Sequence, residues 1–478
     1  MVRSVIAQTG VRPHALQSRR MHRLASCALV LTLSMQLRAS AQEEAPPTSP
    51  PIRANYVVPA FDIVLFDFLV NRYGERFIDH GTYDVSRESI RRNLQSPWVL
   101  DSDPFSTNQF LHPYQGAIYH GLARSAGLSY WASLGYTFAG SMLWEIAGET
   151  TLPSRNDQVA TGIGGSFLGE PLFRVASLVL ESKRLPRFWR ELTAAVVSPP
   201  TEFNRLAYGG RFDGTFPSHD PSFFARLQFG AMGTASVQKS LTQPIARNEA
   251  VADFSIDYGL PGNPNYVYRR PFDYFNLQFT ASSADRFENI FTRGLLAGRA
   301  YGVDPSSYRG VWGLYGTYDF VSPQVFRVSS TALALGTTFQ RSFSKSTALQ
   351  STLLAGVGYG AAGTIHGSGT RDYHYGVAPQ ALAATRFVVR DRVDLDLTLR
   401  DYYVSGLAST EHNGSENIAR ADALITVRLA RHHAVSARYI WSRRAAAYLD
   451  LGDVVQSRGS VGLFYTYLSG SHFGIVDW

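Results

Sequence analysis

ENIARADALITVRLARHHAVSARYIW, residues 416–441, carries the fold in its spacing. From Ala419 to Leu429, apolar side chains alternate with Arg420, Asp422, Thr426 and Arg428. Past Arg431 the alternation resumes, with Val435, Ala437, Tyr439 and Trp441 set against Ser436, Arg438 and Ser442. A period of two places successive side chains on opposite faces of a strand. Each strand therefore has an apolar face and a charged one, and only a short turn separates the two strands. Lipid outside and a polar lumen inside account for that pairing of faces in a transmembrane barrel.

The same signature recurs through the second half of the chain. In residues 271–282, Phe275, Leu277, Phe279 and Ala281 alternate with Asn276, Gln278, Thr280 and Ser282. In residues 391–400, Val393, Leu395, Leu397 and Leu399 alternate with Asp394, Asp396, Thr398 and Arg400. About twelve strands are expected, near 222–238, 249–258, 273–284, 289–302, 309–320, 325–342, 346–360, 373–388, 392–405, 417–429, 433–446 and 458–468. The later connections alternate in length: short at 343–345, 389–391 and 430–432, long at 361–372, 406–416 and 447–457. That matches short periplasmic turns and longer outside loops. Residues 259–272 break the pattern, being long where a short turn is due.

The fold class expected is an α+β membrane protein: an antiparallel transmembrane β-barrel of about 12 strands preceded by a small helical domain. A soluble all-β sandwich shares the period but has shorter strands and no export signal. Asp394, Asp396, Arg400, Arg420, Asp422, Arg428 and Arg438 are expected to line the lumen, as a salt-bridged interior or as a polar pathway.

Composition agrees. The 478 residues are 45% apolar and 13% aromatic with only 17% charged, which excludes a disordered chain. Arg3, Arg12, Arg19, Arg20, Arg23 and Arg38 fall within residues 1–41, which hold no acid. Taking them from the formal charge of +7 leaves about +1, too little for a nucleic-acid partner.

Residues 1–41 read as a secretory signal, with Arg19, Arg20 and Arg23 before the apolar stretch Leu24–Leu37 and cleavage after Ala41. Met21 would serve equally as a start. The lipobox-like Cys27 precedes the apolar run instead of following it, and a twin-arginine route suits prefolded cargo, which a barrel is not. Without the signal the chain has no cysteine, so disulfides and thiolate metal sites are excluded.

Three further divisions follow: 42–101 as a linker and partly ordered segment, 102–205 as a helical domain, and 222–478 as the barrel. Helical periodicity runs from about Asp103 to Ser198, with Pro113 in a first turn and Gly127 as a cap. Ser125–Trp144 holds twenty uncharged residues, long enough to span a bilayer but rich in glycine and serine. It reads as a helix packed closely against other helices or the barrel, and Gly165 with Gly169 as a packing face.

Polar residues in this apolar stretch are the candidates for chemistry. His112, Glu145, Glu149 and Asp157 could converge as acid/base groups, Glu145 and Glu149 being one turn apart. The plainer alternatives are Asp157 as a helix N-cap, Glu170–Arg174 as an ion pair and His112 as a hydrogen-bond donor fixing a turn. No nucleophile elbow, zinc-protease helix or phosphate loop is present, and neither a metal nor another cofactor is expected.

SIRRNLQSPWVLDSDPFSTNQFLHPYQGAIYHGLARSAG, followed by GSMLWEIAGE, NDQVATGIGGSFLGE and SPPTEFNR, resembles an uncharacterised bacterial family known as domain of unknown function 3943. The similarity spans roughly residues 70 to 205. It implies a Gram-negative envelope protein, with Asn108, His112, Pro113, Tyr119, Glu145, Glu149, Asp157 and Glu170 on motif positions, and it supplies no activity. Arg124 and Arg174 join these as binding or structural residues.

The expectation is an outer-membrane barrel with a periplasmic or lumen-plugging helical domain in a structural, binding or transport role. The alternative is a hydrolase or acyl-modifying enzyme acting on envelope lipids. Expected partners are outer-membrane lipids and, during biogenesis, the barrel assembly machinery, which a terminal aromatic, Trp478, would address. Oligomeric state is left open.

Overall fold

The computed structural model describes residues 54–101, 103–212, 216–238, 248–263, 265–304, 308–322, 327–363, 370–406, 414–449, 452–470 and 472–476. The expected signal and its cleavage site lie outside them.

Twelve strands form the barrel: β1 (Phe223–Gln238), β2 (Asn248–Tyr258), β3 (Phe275–Ser282), β4 (Asn289–Asp304), β5 (Tyr308–Val321), β6 (Val328–Ser344), β7 (Thr347–Ala362), β8 (His374–Val389), β9 (Val393–Val404), β10 (Gly414–Ala430), β11 (His433–Tyr448) and β12 (Gly452–Leu468). Each pairs with its chain neighbours, and β1 pairs antiparallel with β12 to close the ring, which removes every sheet edge. In the hairpin of residues 416–441, Ala430 faces His433 directly.

One barrel end, the turn end, carries the tight connections 345–346, 390–392 and 431–432. The opposite loop end carries 283–288, 363–373 and 405–413. Only 449–451 joins β11 to β12, not the long loop expected over 447–457. Pairing there runs on to Tyr448↔Gly452, past the point where Asp453, Gln456 and Arg458 end the apolar alternation.

Alternation fixes which residues face the lumen. On β9, Leu395, Leu397 and Leu399 are exposed on the outer wall, while Asp394 and Arg400 are buried inside. The lumen is filled and crossed by polar bonds. Arg438 on β11 reaches Asp253 on β2 at 3.2 Å, and Arg386 on β8 reaches Asp257 on β2 at 3.1 Å. Arg226 on β1 meets Asp394 on β9 at 3.1 Å and also pairs with Asp396. Tyr402 on β9 donates to Asp319 on β5 at 2.8 Å.

The C-terminal tail closes the turn end. Phe473, at φ 49°, turns the chain inward and buries its ring beside Phe224. Gln340 then donates to the Gly474 carbonyl at 2.7 Å and accepts from the Val476 amide at 3.0 Å. Val476 thus belongs to this inward tail and not to a strand, whereas Trp478 lies outside the described residues.

The helices are α1 (Val57–Phe77), α2 (His80–Tyr83), α3 (Arg87–Gln95), α4 (His112–Ser125), α5 (Tyr130–Ala147), α6 (Arg155–Val159), α7 (Gly165–Glu181), α8 (Arg187–Val197) and α9 (Pro199–Tyr208). π-helical turns at Thr107–Leu111 and Ala160–Gly164 lead into α4 and α7. Residues 54–100, within the expected linker and partly ordered segment, are largely helical.

Where this bundle sits corrects the expectation of a lumen plug or a periplasmic domain. On β3, Phe275 and Leu277 have the outward parity of lipid-facing residues, yet they are only 0% and 4% exposed, against 43% for Leu397. Helices cover them. Phe167 of α7 fits where Gly316 has no side chain, and its ring packs tilted against Phe272. Phe105 stacks on Phe320 and Phe110 packs tilted against it, Tyr130 stacks on Phe272, and Tyr318 donates to the Gln109 carbonyl at 2.6 Å. One continuous apolar cluster joins the bundle to outward residues of β1–β5, β7 and β8.

The helices run between the two barrel ends along this wall. The start of α7 meets Thr331 near the loop end, and its Arg174 meets Asp273 at the turn end. Residues 259–274 are long because they wrap that end of the bundle. Small residues let α4 and α7 approach: a Cβ on Gly165 would lie 2.6 Å from the Gly116 Cα.

Candidate functional site

Apart from Tyr119, the polar residues singled out in the helical segment separate into two groups at opposite ends of the bundle. The first forms at the loop end, where residues before α4 meet α6. Val99 pairs with the chain at Ser154, donating to the Pro153 carbonyl at 2.9 Å and accepting from the Arg155 amide at 2.9 Å. This seats Asp101 beside Asn156, whose side chain accepts from the Asp101 amide at 3.0 Å and donates to the Asp101 carboxylate at 2.9 Å.

Around that pair gather Asn108, His112, Glu145 and Asp157, all buried. Asn108 donates to Asp101 and to the Tyr373 and Tyr375 hydroxyls at 3.0 and 3.1 Å. Asn156 also donates to Tyr375 at 2.8 Å and to Asp157 at 3.1 Å. Barrel and bundle thus share one polar network, and its tyrosines come from β8 and the loop before it.

His112 opens α4, with Pro113 in its first turn. Its Nε2 lies 3.8 Å from Asp157 Oδ2, beyond hydrogen-bonding distance. Glu145 accepts from the Ser154 amide at 2.8 Å, holding the end of α5 against the start of α6. Asp157 is not the N-cap. Ser154 caps α6 by accepting from the Asp157 amide at 3.2 Å, which leaves the Asp157 carboxyl free to point inward. Asp157 Oδ2, Asn108 Oδ1 and Glu145 Oε1 are buried without a hydrogen-bond partner. No arginine or lysine pairs with Asp157 or Asp101 among the described residues. Just outside, Glu149 follows α5; burial, reinforced by Asp103 and Asp101, pushes its carboxyl up to about 7.

The second group is an ion cluster towards the turn end. Glu170 accepts from Arg124 Nε at 2.7 Å and Nη2 at 3.1 Å, and from Arg174 Nε at 2.8 Å. His120 Nε2 lies 3.1 Å from the same carboxylate, and Arg174 reaches Asp273 at 3.0 Å. Arg124 also stacks on Phe173 and Phe216 at 4.8 and 4.6 Å. Every charge here is answered, so the cluster clamps α4, α7 and the barrel together.

Tyr119 stands apart from both, donating to Asp67 of α1. Asp62, Asp67 and Asn71 escape a reading of the sequence because they sit in or beside an apolar run. Their four- and five-residue spacing was the available signal. Asp101, His120, Asn156 and Tyr375 were also missed; Tyr375 becomes significant only through contacts more than 200 residues away in sequence.

Of the four acid/base candidates, His112, Glu145 and Asp157 share the loop-end network, with Glu149 at its margin. The arrangement can hold a proton or bind a polar group. The seven lumen charges all face inward. Arg438 pairs with Asp422 at 2.7 Å and Arg386 with Asp396 at 2.9 Å, while Arg400 stacks on Phe291 at 3.8 Å.

Residues 97–200 match the family model described as Domain of unknown function (DUF3943). No curated protein matches the chain. Among solved structures, OmpT of Vibrio cholerae is 10% identical with a TM-score of 0.19, over 52% of this chain and 97% of that one. The COG4313 outer membrane channel from Pseudomonas putida F1 is 10% identical with a TM-score of 0.24, over 52% of this chain and 94% of that one. A TodX monoaromatic hydrocarbon channel mutant is 9% identical with a TM-score of 0.22, over 58% and 94%. Scores this low carry no argument about shared activity.

Proposed function

We propose that the protein is a non-conducting outer-membrane barrel whose role is structural or binding, and whose working part is the helical bundle fixed to its wall. The observation that carries this reading is the set of ion pairs crossing the lumen. Arg226–Asp394, Arg386–Asp257 and Arg438–Asp253 join strands that are not neighbours in the barrel. Such bonds hold opposite walls together, and the inward tail at Phe473–Val476 adds a stopper at the turn end. A porin-like pathway needs water where these side chains meet.

An outer-membrane address follows from the closed barrel, its outward apolar wall and its alternating short and long connections. Asp157, Asn108 and Glu145 keep buried polar atoms without a hydrogen-bond partner in the bundle, as Asn289, Gln380 and Asp394 do in the lumen. Binding is assigned to the bundle because Asp157 has no arginine or lysine partner there among the described residues, whereas Asp394 in the lumen is paired with Arg226. Planar-bilayer recording tests the reading: the folded protein should give no steady conductance. Reproducible single-channel steps from the unmodified chain would overturn it.

A further inference from the structure

The outer surface of the bundle is built inside out. On α1, Asp62, Asp67 and Asn71 are buried, while Val57, Phe61, Val64, Phe68 and Leu69 are 55–76% exposed. Each buried polar group has an internal partner, although Asp62 Oδ2 and Asp67 Oδ2 accept no hydrogen bond. Asp62 accepts from Tyr208 at 2.5 Å, Asp67 accepts from Tyr119, and Asn71 donates to the Gly148 carbonyl at 2.8 Å. A helix between a protein core and water has the opposite arrangement.

On α5 the outward residues include Trp131, Gly135, Ala139 and Met142, and no charge occurs between Ser125 and Trp144. Charges collect instead at the ends, with Arg72, Glu75 and Arg76 at the loop end and Arg184, Arg187 and Glu191 at the turn end. From Val57 to Leu69 the apolar face of α1 rises about 18 Å at ~1.5 Å per residue. That fits within the apolar band of roughly 25 Å on an outer-membrane barrel. The bundle is also seated on the lipid-facing parity of β1–β5, so its outer face continues the apolar belt exposed on β9–β12.

We infer that this face contacts the acyl chains of the outer-membrane bilayer, making the bundle a membrane-embedded flank of the barrel. This rests on the membrane reading of the barrel above. It accounts for the buried carboxyl and amide groups of α1, since polar side chains within a bilayer turn towards protein partners. It also accounts for the glycine contacts between α4 and α7, because helices in lipid associate through close packing and not through exclusion of water.

The test uses the full chain with Cys27→Ser in phosphatidylcholine/phosphatidylglycerol vesicles, spin-labelled singly at Phe61→Cys, Phe68→Cys, Leu397→Cys or Ser283→Cys. Labels at 61 and 68 should collide with oxygen in preference to a water-soluble nickel chelate, as at 397 and unlike 283. Preference for nickel at 61 and 68, with oxygen preferred at 397, would overturn the inference and leave the barrel reading intact. Preference for nickel at 397 as well would overturn the barrel reading too. Labels at 61 and 68 that are immobile and shielded from both reagents would mean that protein covers the face, again overturning it. Should a cysteine disturb packing, quenching of Trp131 by brominated phosphatidylcholine, read against Trp131→Phe, decides the same point: quenching supports contact with lipid and its absence refutes it.

Discussion

Replacing Glu170 with glutamine should loosen the bundle from the barrel by about 3 kcal/mol. The carboxylate accepts three bonds from two guanidinium groups, at 2.7, 3.1 and 2.8 Å, all fully buried. Removing one partner from such a cluster costs roughly 3–5 kcal/mol, because the remaining charge is left buried and unanswered. Two features reduce the figure here. Arg174 keeps Asp273 at 3.0 Å, and Arg124 keeps the Leu128 carbonyl and two aromatic faces, a cation–π contribution of up to about 2 kcal/mol. Glutamine also retains one acceptor oxygen. The assay is hydrogen exchange of α4 and α7 in vesicles, with urea unfolding as the equilibrium readout. Adding Arg124→Met to Glu170→Gln should cost less than the sum of the two single changes, since the pair is removed together. A loss below about 1 kcal/mol with unchanged exchange would refute the clamp.

Asp157→Asn should be tolerated, because it can keep the bond with Asn156, whereas Asp157→Ala should cost about 1–3 kcal/mol by stranding buried donors; thermal unfolding compares the two. Gly165→Val should separate α4 from α7, destabilising the bundle by at least the roughly 1–3 kcal/mol of overpacking, and protease sensitivity in the bundle reads this out. Glu149, held up at about 7, binds its proton more tightly when folded. Its contribution to stability is therefore full below the ordinary glutamate range and lost as pH rises through about 7. Glu149→Gln should flatten that slope in exchange measurements near the end of α5.

The barrel was legible because alternation is local. Each of the twelve strands appears within a few residues of where the period of two put it, except at the start of β12, where polar residues continue the ladder beyond the apolar stretch. Glu170–Arg174 was equally legible, as an i, i+4 pair. What could not be read was placement. Leu277 and Leu397 have the same signature in sequence, yet one lies under helices and the other is exposed. Only tertiary packing distinguishes them. Phe61, Asp62 and Phe68 likewise read as part of an apolar run until the direction of each side chain is known.

Docking of the bundle on the outer wall is tested most directly by a disulfide. A Cβ on Gly164 lies 2.9 Å from the Thr331 hydroxyl, on the outward face of β6, while neighbouring Ser330 faces the lumen. In a Cys27→Ser chain, Gly164→Cys with Thr331→Cys should oxidise to an intramolecular cross-link visible by gel mobility, and Gly164→Cys with Ser330→Cys should not. Cross-linking through position 330 instead of 331 would place the helices inside the barrel and contradict the account.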